Sequence, residues 1–159
     1  MNIKIIRNKI EDDAIIDSEI IQDIESVKNN GFRFNINCRD SLGYTLLADA
    51  IVWRRKELVE YLLSDPRINV NTQDMSGWTG LHDACSNNNI EIVRKLLLDA
   101  RVDTSIRNEY GDTVRDIAIW EGYLGIANML KRIGHTSLLR IPNASLCKDI
   151  TRMIIEEYV

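Results

Sequence analysis

Apolar residues fall along this chain in short stripes with helical spacing, and the stripes repeat. One stripe consists of Leu58, Val59, Leu62 and Leu63, and a second consists of Ile92, Val93, Leu96 and Leu97. Positions three and four residues apart share one face of an α-helix. Since the second stripe begins 34 residues after the first, the pattern predicts amphipathic helices that recur with a fixed period.

The same 34-residue step relates other residue types. It joins Gly43, Gly77 and Gly111; Thr45, Thr79 and Thr113; Ala50, Ala84 and Ala118; Leu58, Ile92 and Ile126; and Leu62, Leu96 and Leu130. Agreement of several positions in one register indicates a repeat protein. The predicted repeat units run from 40 to 73, from 74 to 107 and from 108 to 136.

Each unit carries the signals of a turn followed by two helices. The Asp-x-x-Gly motif of the first two units favours a turn, in which glycine takes a backbone geometry that a side chain would forbid. The recurring threonine precedes a short apolar segment and is a suitable N-cap for a first helix. The recurring alanine lets adjacent first helices pack closely. The apolar stripe then marks a second helix in each unit.

This arrangement resembles the ankyrin repeat, whose consensus runs roughly D-x-x-G-x-T-P-L-H-x-A-A, then a second helix with V-x-x-L-L, then A-D-x-N. The middle unit, which opens DMSGWTGLHDAC, is the most similar, and the resemblance covers about residues 35 to 133. It implies an all-α repeat solenoid in which each repeat adds a β-turn or hairpin and two antiparallel helices.

The chain departs from the family pattern at several positions. Its period is 34 and not the usual 33, with an extra residue in the loops SDPRIN and LDARVD. Gly80 stands where the family prefers proline, Ala48 replaces the histidine of the first unit, and Arg54 stands where a helix-ending glycine is common. The third unit has Lys131 where the earlier units have leucine, as expected of a last repeat that faces solvent.

The flanks are predicted to be helical caps of a single domain. Residues 1–39 form an N-terminal cap or degenerate repeat, in which the amphipathic segment from Asp17 to Asn30 supplies the second helix. Residues 137–159 form a C-terminal cap, in which Pro142 breaks the chain and Ser145 opens a helix. The alternative for this last segment is a tail motif that recruits other machinery, such as the F-box-like tag that ends some viral and bacterial ankyrin proteins.

Composition narrows the functional class. The 159 residues suffice for one domain with a real core, and a net charge of −4 gives no reason to expect nucleic-acid binding. Seven acidic residues and no basic one lie between Ile10 and Val27. This run is either a solvated helix face or an acidic surface that attracts a basic partner.

The cysteines and the apolar runs bear on localisation. Cys38, Cys85 and Cys147 are odd in number and far apart, which argues against a disulfide framework or a zinc site and favours reduced thiols. No apolar run approaches the roughly 18 residues that a membrane helix needs. We therefore expect a cytoplasmic protein, or a nuclear one, or one in a host cytosol if it is delivered there.

The sequence contains no convincing catalytic motif. His82 and Cys85 are close on a predicted helix, and a Cys–His enzyme is the remote alternative that they raise. The ankyrin resemblance implies instead that His82 binds backbone and Thr79, and that Cys85 fills space between repeats. We expect no catalytic, metal or cofactor site.

The resemblance also implies a protein-binding surface on the concave side, formed by the hairpin tips and first helices. The matching positions are Ser41, Leu42, Tyr44, Trp53, Met75, Ser76, Trp78, Ser86, Asn87, Glu109, Tyr110, Asp112, Trp120 and Glu121. All three tryptophans of the chain are among them, and tryptophan and tyrosine are enriched at binding hot spots.

The predicted function is therefore non-enzymatic binding of a protein partner, as an inhibitor or masking protein that is a monomer on its own. The alternative is an adaptor, in which the repeats select a target and the C-terminal helix recruits other machinery. The partner is expected to be a protein, with neither nucleic acid nor membrane bound.

Overall fold

The repeated helix pairs are present. The computed structural model describes residues 3–29 and 35–136 of the chain. Within these residues the chain forms α1 (Ile3–Glu11), α2 (Asp17–Asn29), α3 (Leu46–Val52), α4 (Lys56–Ser64), α5 (Gly80–Ser86), α6 (Ile90–Leu98), α7 (Val114–Trp120) and α8 (Leu124–Thr136). Strand-like pairing in this part is limited to two isolated antiparallel bridges, Gln73 with Thr79 and Arg107 with Thr113. The predicted all-α repeat solenoid is confirmed.

The helices stack in two rows. In the inner row α1 packs on α3, α3 on α5, and α5 on α7, while in the outer row α2 packs on α4 and α4 on α6. The predicted stripes form the core between the rows, where Leu58, Leu62 and Ile92 are fully buried. Burying such side chains contributes about 1.5–3 kcal/mol each. The segment predicted as a helix from Asp17 is α2, and its stripe of Ile20, Ile24 and Val27 is buried.

A turn precedes each inner helix, and the side chain of the first residue of the turn accepts hydrogen bonds from the backbone of the residues that follow it. Asp74 Oδ1 accepts hydrogen bonds from the backbone of Ser76 and Trp78, both at 2.8 Å. Gly77 at the tip has φ +75°, and a Cβ there would lie 3.0 Å from the backbone nitrogen of Glu109 in the next turn. The turns are joined to each other, since the backbone nitrogen of Glu109 donates to the oxygen of Ser76 at 3.0 Å. The tips are thus held at a fixed spacing.

The loop after α6, one of the two that are a residue longer than in the family, links its repeat to the preceding one. Arg101 pairs with Asp99 at 2.6 Å and also donates to the backbone oxygens of Leu63, Asp65 and Ile68 in the preceding unit. These include carbonyl groups at the end of α4, which have no partner inside their own helix. The side chain of Arg101 therefore ties one repeat to the next, which gives the 34-residue period a structural purpose.

The side chain of Ile51 explains why Gly80 stands where the family prefers proline. A Cβ on Gly80 would lie 2.5 Å from Cδ1 of Ile51, so the preceding repeat already fills that space. One unit later the sizes are reversed, because Cys85 matches Ile51 and Val114 matches Gly80 in the repeat register. Cys85 Sγ lies 3.6 Å from the backbone oxygen of Val114. Large and small residues thus alternate across successive inner helices.

Candidate protein-binding face

Cys85 and His82 are both part of the packed interior. Cys85 is fully buried, and burial raises the pKa of its thiol to about 12. Only a thiolate is a strong nucleophile, so this thiol is unreactive at neutral pH. His82 is also fully buried, and its Nδ1 accepts a hydrogen bond from the backbone N–H of Thr79 at 3.1 Å and lies 2.7 Å from Thr79 Oγ1. Burial lowers the pKa of His82, which keeps the imidazole neutral.

The histidine completes a capping box for α5. The side chain of Thr79 accepts from the backbone of His82 while the imidazole accepts from the backbone of Thr79. Asp116 plays the same part for Thr113 at the start of α7. The His82 Nε2 has no hydrogen-bond partner within the described residues, although the backbone oxygens of Asp112 and Ile106 act to raise its pKa. His82 therefore serves the scaffold.

We call the inner face the surface made by the turns at 40–44, 74–78 and 108–112 together with α3, α5, α7 and their C-terminal ends. Arg7 shows that turn and helix adjoin, because its Nη1 lies 3.2 Å from Asp40 in the first turn and 2.7 Å from Asp49 on α3. Among the residues that the structure describes, no group of three or more His, Cys, Asp or Glu is arranged to hold a metal ion.

Apolar side chains project from the tips of the inner face. Leu42, Met75 and Tyr110 are 61%, 73% and 75% exposed. The backbone nitrogen of Met75 donates to the oxygen of Leu42 at 3.1 Å, so these two tips are direct neighbours. A row of exposed apolar side chains on a rigid backbone is typical of a protein-binding surface.

The C-terminal ends of the inner helices carry two of the three tryptophans. Trp120 is the last residue of α7 and is 87% exposed, and Trp53 is the C-cap of α3 and also exposed. The third tryptophan differs. Trp78 is only partly exposed and packs against the core, with its ring centroid 6.0 Å from that of His82. Trp78 is thus only partly available to a partner.

The remaining predicted contact residues are mostly polar. Ser41, Asn87, Glu109 and Glu121 are exposed, while Tyr44, Ser76, Ser86 and Asp112 are half-buried. The backbone oxygen of Asn87 is already engaged, because it accepts a hydrogen bond from Arg54 at 2.8 Å. The predicted set therefore lies along the turns and inner-helix ends, with its most exposed apolar members at the tips and at Trp120.

Two carboxylates lie deeper on the inner face. Asp49 on α3 and Asp83 on α5 occupy the same position in their repeats, and the third repeat has Ile117 there. Burial raises the pKa of Asp49 to about 6, and the pairing with Arg7 acts in the opposite direction. Burial, followed by the charges of Asp74 and Asp49, raises the pKa of Asp83 to about 7.

Comparison with known families identifies the repeats. Residues 67–118 match the family model described as ankyrin repeats (many copies). This segment carries ankyrin repeats. Ankyrin repeats generally mediate protein–protein interaction, and the family is typically non-enzymatic. A search of curated proteins found no match.

The pair formed by Asp49 and Asp83 was the feature of the inner face that sequence reasoning missed. The consensus leaves this position of the first helix open, so an aspartate there raised no signal as a departure. The 34-residue step could have revealed the pair, because it places Asp49 and Asp83 at the same position of successive inner helices. What no pattern could give was the ion pair of Asp49 with Arg7 from α1.

The acidic run near the N-terminus is largely engaged within the protein. Lys9 pairs with Glu19 at 2.8 Å and with Asp23 at 2.6 Å. Glu25 accepts a hydrogen bond from the hydroxyl of Tyr61. Of the two interpretations of this run, an exposed acidic surface for a basic partner gains no support from these contacts.

Two further predictions concern the C-terminal segment and a membrane span. Pro142 and the helix predicted from Ser145 lie outside the described residues. Within residues 3–29 and 35–136, none of the helices combines the length and the apolar character that a membrane span requires.

Proposed function

We propose that this protein binds a protein partner through its inner face and masks a functional surface of that partner. The observation that carries the proposal is the set of exposed apolar tips, in particular Met75 and Tyr110, on turns that are bonded to one another. Exposed aromatic and methionine side chains are the residue types that anchor interfaces.

The rigidity of the face supports binding without large ordering costs. Asp74 and Asn108 each close their turn with two side-chain-to-backbone hydrogen bonds, and Arg101 ties its own loop to the preceding repeat. A surface that is ordered before it meets a partner loses little conformational entropy on binding. Masking requires nothing more than such a surface, whereas catalysis requires a reactive group, and Cys85 is buried.

The test is affinity purification from cells that make the protein, with mass spectrometry of what is retained. The wild type is compared with a variant carrying Met75→Ala and Tyr110→Ala. The matched control is Leu98→Ala, which removes an exposed apolar side chain from the outer helix α6. We expect one or more proteins to be retained by the wild type and by the control, and at least about tenfold less by the double variant, since two hot-spot side chains of at least about 1 kcal/mol each exceed the ~1.4 kcal/mol of a tenfold change. Equal recovery from all three would contradict the proposal.

The same experiment separates masking from the adaptor alternative. A protein lacking residues 145–159 is examined for folding by circular dichroism and for the proteins that it retains. Under the masking proposal, a folded truncated protein keeps all its partners. Loss of one partner while another is kept would favour the adaptor.

A further inference from the structure

One carboxylate on the inner face is buried without a counter-charge. Asp83 is 8% exposed. No hydrogen bond or ion pair reaches its carboxyl group from any residue in 3–29 or 35–136. Buried carboxylates are normally paired or hydrogen-bonded, because removal of an ionised group from water is unfavourable unless a partner replaces the water. An uncompensated acid at this place therefore needs an explanation.

The contrast with Asp49 shows that the fold can supply a partner when one is needed. Arg7 binds Asp49 at 2.7 Å and Asp40 at 3.2 Å, and its other nitrogen donates to backbone oxygens of the first turn. The equivalent arginine is absent at Asp83, whose neighbouring charges are the carboxylates of Asp49 and Asp74. The second repeat thus carries the acid of the first repeat without its cation.

An aromatic side chain, that of Tyr44, lies near this carboxylate. The turn that ends at Tyr44 packs on the next turn, since a Cβ on Gly43 would lie 3.0 Å from Cα of Asp74, and α3 packs on α5. Burial, and after it the charges of Asp83 and Asp74, raise the pKa of Tyr44. Trp78 occupies the position of Tyr44 in the next repeat and keeps part of its ring exposed. Organic cations bind where an aromatic face adjoins a carboxylate, because the ring quadrupole and the negative charge both attract them.

From this arrangement we propose that the inner face holds a recess for the basic side chain of a protein partner, a lysine or an arginine, with its charged group at Asp83 and its stem beside Tyr44. The proposal rests on the proposed function, which it deepens by naming the chemistry of the partner. Asp49 is occupied by Arg7, so the unpaired Asp83 is the point of contact. The exposed apolar side chains of Leu42 and Met75 form the rim.

The test uses the side-chain fragments themselves, so that it does not depend on knowing the partner. The folded protein, labelled with ¹⁵N, is titrated with n-butylammonium chloride as a lysine analogue and n-propylguanidinium chloride as an arginine analogue. Sodium chloride at equal ionic strength and n-pentanol are the controls for salt and for apolar binding. We expect saturable shifts of the amide signals of residues 44, 49, 74, 78 and 83 with one or both cations, and which cation binds more tightly identifies the side chain.

Variants make the assignment specific. Asp83→Asn should weaken the fragment affinity at least fivefold, and Tyr44→Leu should weaken it while leaving the acid in place. Glu57→Gln, which removes one negative charge from the exposed outer helix α4, should leave the affinity unchanged. Shifts that are not saturable, or equal affinities for wild type and Asp83→Asn, would overturn the proposal. A wild-type spectrum pattern in each variant establishes that it is folded.

The two proposals fail in different ways. If the Met75 and Tyr110 double variant loses a partner that Asp83→Asn keeps, the proposed function stands and the cation recess is wrong. If neither variant affects recovery but the fragments bind at Asp83, the recess exists and the masking function is wrong.

Discussion

The first and second repeats differ most clearly at the residue that precedes the outer helix. Arg55 and Asn89 occupy the same position, 34 residues apart. Asn89 caps its own helix, since its Oδ1 accepts from the backbone of Ile92 at 3.2 Å. Arg55 cannot cap α4, and its guanidinium turns away to the backbone oxygens of Ile10, Asp12 and Ile15.

The cap that α4 lacks comes from the N-terminal helix pair. Asp17 Oδ2 accepts from the backbone nitrogens of Glu57 and Leu58, both at 3.1 Å, and its other oxygen lies 3.6 Å from Arg55. Arg7 likewise reaches from α1 to Asp49 on α3. The first repeat is therefore completed by α1 and α2, whereas the second repeat satisfies its helix ends with its own residues.

The largest expected effect comes from removing the link to the N-terminal pair. Arg55→Ala leaves the backbone oxygens of Ile10 and Ile15 without their side-chain donor and Asp17 without its ion pair, and should lower the free energy of unfolding by about 3 kcal/mol. Asn89→Ala removes one local cap and should cost about 1 kcal/mol. Urea denaturation of both variants measures the difference, and hydrogen exchange should accelerate in α1 and α2 only for Arg55→Ala. Equal losses would remove the distinction between the two repeats.

A smaller effect should come from the contact between repeats at Gly80. Gly80→Ala places a Cβ against Ile51, and we expect it to lower the free energy of unfolding by about 2 kcal/mol, as overpacking does. The combination Ile51→Val with Gly80→Ala should recover at least half of that loss, because the shortened side chain makes room. Thermal unfolding of the two single variants and the double variant measures the coupling. If the losses of the two single variants simply add in the double variant, contact with Ile51 is not the reason why residue 80 must be small.

The two inner-face acids should respond differently to neutralisation. Because the pKa of Asp83 is raised to about 7, the folded protein keeps a proton that the unfolded chain loses near pH 4, so stability falls as the pH rises from about 4 to about 7. Asp83→Asn removes this loss and should stabilise the protein by about 2 kcal/mol at pH 8, with a smaller gain at pH 5. Asp49→Asn should gain less, because Arg7 already pairs with that carboxylate.

Urea denaturation at pH 5 and pH 8 measures the difference between the acids. The groups that face Asp83 are the carboxylates of Asp49 and Asp74 and the phenol of Tyr44. Because Tyr44 and Asp74 are the same in Asp83→Asn and Asp49→Asn, a difference in stability between the two variants reports on the substituted acid. If Asp83→Asn and the wild type have the same free energy of unfolding at pH 8, the ionised carboxylate of Asp83 does not destabilise the folded protein.

The smallest expected effect concerns the turn between the two helices of a repeat. Arg54 has φ 56° and Asn88 has φ 50°, while Gly122 holds the same position in the third repeat. Arg54→Gly relieves a left-handed backbone but loses the hydrogen bond to Asn87, so the two effects of about 1 kcal/mol nearly cancel. Arg54→Ala loses the bond and keeps the strained backbone, and thermal unfolding should show it as the less stable of the two. Since both variants lose the bond to Asn87, the reverse order would mean that the left-handed backbone at this position is not strained.

The sequence alone determined the architecture of this protein. A 34-residue period of turn, cap and apolar stripe predicts helix pairs in one register, because turn chemistry and helical periodicity are local properties of the chain. It also predicted that His82 would bind Thr79 and that Cys85 would pack inside. These follow from the resemblance of the middle unit to a repeat whose parts are well defined.

Only the tertiary structure decided which side chains of the inner face remain available. The partial burial of Trp78, the ion pair of Asp49 with Arg7 and the isolation of Asp83 depend on residues that lie far apart in the chain or in the next repeat. The same holds for Arg55, whose partners lie 40 to 45 residues away. A periodic pattern places equivalent residues in register, but charge pairing and exposure are set by neighbours that the period does not repeat.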